Sequence, residues 1–220
     1  MEETNFVLLW KEQYEKIDQS LAINKRILKE TISQKARSAL RSLIRIKATG
    51  IVAAIIWLLL LGAALSIAVL NYSSAVNYFI VSVAAIFIIN VKALCDYIKH
   101  LAWVNSINYD GSITKIQKKL VRLQLSIFQH VRIMFLQLPF WTTFTLSNKW
   151  FPQNVSWMYI IFQILFTASF TYLAFWLYKN ISLANANKKW VKSLIEGAGG
   201  KSVTKAMEFY KEIEEFDVGG

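Results

Sequence analysis

Residues 133–152, IMFLQLPFWTTFTLSNKWFP, decide the fold of this chain. The stretch is apolar enough for a membrane, but Arg132 precedes it, Pro139 interrupts it, and only its first 16 residues are free of charge. At 1.5 Å per residue those residues make a helix of about 24 Å, somewhat shorter than the hydrocarbon thickness of a bilayer. Whether the stretch crosses a membrane therefore has to be decided from the rest of the sequence.

The composition is that of a membrane protein. Of the 220 residues, 55% are apolar and 18% are charged, whereas soluble proteins average about 45–50% and about 25%. The apolar residues are gathered in uncharged runs at 48–91 and 155–178. The first run is long enough for two spans, 51–70 and 78–94, with the polar residues 71–77 between them, because unpaired polar groups are costly in hydrocarbon. The second run predicts one more span.

The distribution of basic residues decides how residues 133–148 are read. If this stretch crosses the membrane, Lys149 is the one base of 25 outside the cytoplasm, and all 14 acidic residues lie inside. If it does not cross, the bases after residue 178 lie on the opposite side from those before residue 48. Because Lys and Arg concentrate in cytoplasmic loops, the sequence predicts four spans with both termini in the cytoplasm.

The predicted fold class is therefore all-α, an integral membrane protein with four transmembrane helices in two hairpins and a cytoplasmic helical stalk or bundle. The predicted location is the inner (plasma) membrane. The segments are a cytoplasmic amphipathic helix (1–47), the first hairpin (48–94), the helical stalk (95–131), the second hairpin (132–178), and a cytoplasmic tail with an acidic amphipathic helix (179–220).

Two apolar stripes predict how the cytoplasmic helices pack. The first alternates steps of four and three, as in a coiled coil, and contains Trp10, Tyr14, Ile17, Leu21, Asn24 and Leu28. It then shifts to Ile32, Ala36, Ala39, Leu43 and Ile46. The second stripe contains Ile113, Ile116, Leu120, Leu123, Ile127, His130 and Met134. Because each stripe needs an apolar partner, we expect these helices to form a bundle.

The C-terminal residues predict a further amphipathic helix, with Ser202 as its N-cap. Residues 208–217 hold five acids and one lysine, a net charge of −4, and residues 25–47 hold eight bases and one acid, a net charge of +7. This helix docks on another protein, folds back on the chain's own basic segment, or is simply solvated. The candidate partner-binding residues are Met207, Tyr210, Glu212, Glu214, Glu215 and Phe216.

The sequence contains no recognisable catalytic, cofactor-binding or metal-binding pattern. It has no Gly-rich phosphate loop and no HExxH motif, and Cys95 is its single cysteine. His130 is either a packing residue or a pH-sensitive contact. The net charge of +11 is explained by topology and by anionic headgroups, so we expect no binding to nucleic acid. We expect neither an enzyme nor a cofactor.

The span interiors hold polar residues but no charges, which disfavours coupled transport. Most of these polar side chains, including Asn90, Thr142 and Thr167, are expected to hydrogen-bond between helices. Gln137 and Gln163 are the candidate polar membrane seam, which forms either a narrow pore or structural hydrogen bonds.

Four stretches carry a resemblance: INYDGSITKIQKKL, LQLPFWTTF, NKKW and KSVTKAMEFYKEIEEF. Together they resemble an uncharacterised family of small four-span bacterial inner-membrane proteins. The resemblance covers nearly the whole chain, and it implies the topology and a bacterial source. It implies no catalytic or ligand-binding residue.

The expected function is that of a non-enzymatic, membrane-anchored adaptor or regulator that acts through its cytoplasmic helices. The alternative is a subunit of a small oligomeric channel or transporter. The expected partners are the lipid bilayer and either a cytoplasmic protein or further copies of the chain.

Overall fold

The computed structural model describes residues 2–109 and 111–218, with side chains for residues 10–109 and 111–211. The described residues are all-helical and contain no strand. The helices are α1 (Glu2–Leu70), α2 (Asn77–Asn105), α3 (Ile113–Met134), α4 (Leu138–Thr143), α5 (Trp157–Asn180), α6 (Lys189–Gly197) and α7 (Gly200–Val218). Short 3₁₀ turns lie at Ser74–Val76, Phe135–Gln137 and Leu183–Asn185.

Helix α1 is a single helix of 69 residues. At 1.5 Å per residue it is about 100 Å long. It passes without a break through the predicted boundary between residues 47 and 48, so the amphipathic N-terminal segment and the first apolar run share one helix axis. We call residues 2–27 of α1 the arm.

Three helices are long and apolar enough to span a membrane: α1, through its apolar run, then α2 and α5. Few of their residues are buried within the chain, and the core among them is small. It consists of Leu61, Val83 and Ile86 with the partly buried Leu65, Phe79, Phe87, Phe140 and Phe144. These helices therefore present most of their apolar surface outward, as expected for helices surrounded by lipid.

The segment after α3 is helical for less of its length than the sequence predicts. A 3₁₀ turn at Phe135–Gln137 interrupts the helix just before Pro139, and α4 ends at Thr143 rather than near residue 148. Pro139 has no N–H and its ring crowds the preceding turn, so an interruption at this point is expected. The hydroxyls of Thr142 and Thr143 turn back to the carbonyl of Pro139.

This segment nevertheless lies beside α5 from one end to the other. At the end near α3, Arg132 Nε donates to the carbonyl of Tyr178 at 2.7 Å. At the far end, the rings of Trp150 and Phe151 lie 5.8 and 6.4 Å from the ring of Tyr159. The two segments are therefore antiparallel and cover the same length.

The main core joins α3, α6, α7, residues 28–44 of α1 and the C-terminal end of α2, which contributes Val104, into a bundle. In the predicted α3 stripe, the five central residues are buried and the terminal two are half-buried, so that prediction is confirmed. In α1 the stripe differs: Ile32, Ala36 and Leu43 are buried as predicted, whereas Ala39 is half-buried and Ile46 is exposed. The buried positions in their place are Leu40 and Lys47.

Helix α7 lies against α1 and runs antiparallel to it. A Cβ atom on Gly199 would come within 2.3 Å of Leu43 Cδ1, whereas Lys35 lies 6.0 Å from the ring of Phe209. The helix begins at Gly200, two residues before the predicted N-cap Ser202. Gly199 has φ of +97°, so the corner between α6 and α7 needs a residue without a side chain.

Candidate functional site

A buried polar cluster lies where the apolar run of α1 and the helix α2 meet the bundle. Three helices contribute to it, and each contributes polar side chains that are largely shielded from solvent. The cluster consists of Lys47 from α1, Asp96, Tyr97 and His100 from α2, and Ser126 and His130 from α3. It therefore ties the three helices together by polar contacts at one level.

Asp96 is the only acidic residue among these six, and it is 5% exposed. Its carboxylate accepts hydrogen bonds from Lys92 and, at 2.9 Å, from Lys99. The same carboxylate lies 3.4 Å from His130 Nδ1. It also attracts the ammonium group of Lys47. One buried negative charge thus offsets several positive charges from two helices.

Lys47 is 2% exposed, which is rare for a lysine. Its ammonium group lies 4.4 Å from the centroid of the Tyr97 ring, a cation–π contact. The ring can lie this close to α1 because residue 50 is glycine: a Cβ atom there would be 2.9 Å from Tyr97 Cε2. Gly50 therefore makes room for the aromatic face that covers the lysine.

The two histidines lie edge to face, with ring centroids 6.1 Å apart. His100 Nε2 is 2.9 Å from Ser126 Oγ, and neither histidine Nδ1 has a hydrogen-bond partner among the described residues. Burial, together with the positive charge of Lys47, lowers the pKa of His130 to about 4, although the carboxylate of Asp96 opposes the shift. His130 is therefore neutral at pH 7.

The side chains of this cluster that could exchange a proton are buried. His100 and Ser126 are close enough for proton transfer, but His100 is fully buried and Ser126 is 5% exposed, so no substrate can reach the hydroxyl. Among the described residues, no group of three or more His, Cys, Asp or Glu side chains is placed to hold a metal ion.

Sequence reasoning missed this cluster because its members are far apart in the chain. Spacing along the chain singles out only His130 among them, as a position of the α3 stripe. The one available signal is the spacing of Lys92, Asp96 and Lys99, which places an acid between two bases on one helix face.

The predicted partner-binding residues of the tail fall into two groups. Tyr210 is fully buried in the bundle core, and Met207 is partly buried against it. Both therefore pack within the chain in this structure. The side chains of Glu212, Glu214, Glu215 and Phe216 lie outside the described part of the molecule.

Polar side chains along the apolar helices bond to one another, as predicted. Asn90 Nδ2 donates to Gln137 Oε1 at 3.1 Å, which links α2 to the 3₁₀ turn. Gln163 Nε2 donates to the carbonyl of Thr142 at 2.8 Å and to Thr167 Oγ1 at 3.2 Å. The two glutamines thus have separate sets of partners, and each joins neighbouring segments.

In the part of the chain whose side chains the structure describes, an apolar stripe on the arm is uncovered. Trp10, Tyr14, Ile17 and Leu21 are 58, 62, 61 and 56% exposed. Leu28, the next apolar residue of the same pattern, is partly buried against the bundle core. We call Trp10, Tyr14, Ile17, Leu21 and Asn24 the arm stripe. The bundle that the sequence predicts therefore covers α1 only from about residue 28 onward.

Comparison with known proteins gives no functional assignment. No protein-family model, no curated protein and no solved structure matches the chain.

Proposed function

We propose that the chain crosses the bacterial inner membrane four times, with both termini in the cytoplasm. Three long apolar helices support the membrane location. The fourth crossing is supported by the segment beside α5, which extends from Arg132 near Tyr178 to Trp150 near Tyr159. Because this segment covers the length of α5, a membrane crossed by α5 is crossed by this segment too.

The charge pattern supports the same topology. The end of the apolar helices away from the bundle holds residues 71–77 and 144–156, whose single basic residue is Lys149. The bundle end holds the remaining Lys and Arg residues, which favours a cytoplasmic bundle. The bacterial source rests on the family resemblance and stays a prediction.

Cysteine labelling in intact cells tests this topology. In a Cys95→Ser background, Lys149→Cys is expected to react with a membrane-impermeant maleimide added outside, because it lies on the far loop. Gln19→Cys, on the arm, is expected to react only after the cells are permeabilised. Labelling of both cysteines from the same side would contradict the three crossings that the proposal places between them.

We further propose that the protein is a non-enzymatic, membrane-anchored adaptor or regulator that acts through protein contacts of its cytoplasmic helices. The observation that carries this proposal is the exposed arm stripe. Aromatic and aliphatic side chains on a helix that projects beyond its bundle are a typical surface for binding another helix. By contrast, Tyr210 of the tail is buried in the bundle.

Photo-crosslinking tests the adaptor proposal. A photoreactive amino acid in place of Ile17, in the full-length protein in its membrane, is expected to yield adducts with protein. The same amino acid in place of Gln19, on the opposite face of α1, should yield far fewer, since helix positions two residues apart face nearly opposite ways. Adducts identified by mass spectrometry as lipid only, or equal yields from both positions, would refute the proposal.

The alternative of a channel or transporter subunit gains no support from Gln137 and Gln163. Each glutamine hydrogen-bonds within the chain, as expected for polar residues that hold membrane helices together.

A further inference from the structure

The chain's own C-terminal helix does not reach the arm stripe. Helix α7 runs antiparallel to α1, with Phe209 opposite Lys35. The described helix ends at Val218, nine residues later, so it ends opposite about residue 26 of α1. The part of the stripe from Trp10 to Leu21 lies beyond that point, which agrees with its exposure.

The spacing of the arm stripe is self-complementary. In a heptad labelled abcdefg, its steps of four and three place Tyr14 and Leu21 at a, and Trp10, Ile17 and Asn24 at d. None of these five residues is charged. Asn24 favours the register that places it beside Asn24 of a second copy, because an amide that faces an apolar side chain has no hydrogen-bond partner there.

The charges of the arm lie away from the stripe. Residues 10–24 hold two bases and three acids, a net charge of −1, whereas the adjoining residues 25–47 have a net charge of +7. Glu12 and Lys16 form an ion pair of 2.8 Å with each other, on the face opposite the stripe. Two arms can therefore approach each other along the stripe with a net charge of only −1 on each.

We propose that the arm stripe is covered by the arm stripe of a second copy, in a parallel, in-register coiled coil. This inference names the partner of the surface on which the adaptor proposal rests. It also rests on the proposed membrane anchoring, because two copies inserted in the same orientation project their arms to the same side. The flanking charges favour the parallel arrangement. An antiparallel pair over the same residues would bring Asp18 near Asp18 of the other copy, and Lys11 near Lys25, which is unfavourable.

Disulfide formation between copies tests the proposal in membranes that contain the full-length protein. In a Cys95→Ser background, Tyr14→Cys and Leu21→Cys are each expected to form a disulfide-linked dimer under mild oxidation with copper phenanthroline. The matched control is Gln19→Cys, at an f position on the opposite face, with about a tenth of the dimer yield. Tyr14 and Leu21 are more than half exposed, so these substitutions do not touch the bundle core.

Only parallel, in-register arms bring residue 14 to residue 14 and residue 21 to residue 21 at the same time. Absence of dimer at either position, or an equal yield from Gln19→Cys, would overturn the inference. If Ile17 crosslinks to a different protein while no disulfide dimer forms, the second copy is the wrong occupant and the adaptor proposal stands. If the maleimide labelling contradicts the topology, the membrane proposal fails whatever the dimer yield.

Discussion

Asp96→Asn is expected to lower the free energy of unfolding by about 3 kcal/mol, since removal of one partner from a buried ion pair leaves an uncompensated charge. The substitution keeps the shape of the side chain but leaves Lys47 buried without a nearby negative charge. For a chain of this size the loss corresponds to a fall in melting temperature of about 8 °C. Thermal unfolding in detergent, followed by tryptophan fluorescence, measures it.

Two further variants separate the buried charge from the surface charge. Lys99→Ala removes a partner of Asp96 whose side chain is 40% exposed, so it should cost less than about 1 kcal/mol. Lys47→Met, added to Asp96→Asn, removes the buried positive charge and should restore about half of the lost stability. If Asp96→Asn costs no more than Lys99→Ala, the cluster does not hold the helices together as described.

Gly199→Ala is expected to cost about 3 kcal/mol and to loosen α7 from α1. An L-residue in the left-handed region costs about 1–2 kcal/mol, and overpacking adds a similar amount. The new Cβ atom would lie 2.3 Å from Leu43 Cδ1, and Leu43 is fully buried, so it has little room to move. Limited proteolysis should then cleave between α6 and α7 sooner than in the unaltered protein.

Gly197→Ala is the matched control for this corner. Gly197 lies at the end of α6, and a Cβ atom there would have no neighbour within 4 Å. Alanine favours the helix over glycine, so this variant should be neutral or stabilising by about 0.5 kcal/mol. A similar loss of stability in both variants would mean that the corner tolerates no substitution, whatever the backbone angle.

The helical elements could be predicted because their signals are local. The α3 stripe from Ile116 to His130 follows the helical period closely, and its burial agrees. The predicted spans 51–70, 78–94 and 155–178 lie in the three helices that can span a membrane. Such features depend on spacing within one segment, which the sequence states directly.

The buried polar cluster could not be predicted because it depends on packing between segments. Lys47 lies in the bundle face of α1 where periodicity alone would place Ile46. A prediction from the spacing of apolar residues assigns only apolar residues to the core, so it excludes a lysine. The lysine is tolerated because Asp96 and the Tyr97 ring, both from α2, surround it.

The residue at which α4 ends also could not be predicted from the sequence. Local rules place an interruption near Pro139, but they do not say where the helix resumes or stops. In the structure the path of the segment is set by α5, through contacts at Thr142, Trp150 and Phe151.

Helix α1 is continuous from the arm to the last residue of its apolar run. It contains no proline, and its two glycines, Gly50 and Gly62, lie within unbroken helix. Rotation of the arm about the helix axis therefore also rotates the apolar run. A lateral force on α1 at Trp10 acts on the whole helix, with the bundle as the fixed point. Over the roughly 90 Å between Trp10 and Leu70 there is no loop to absorb the torque.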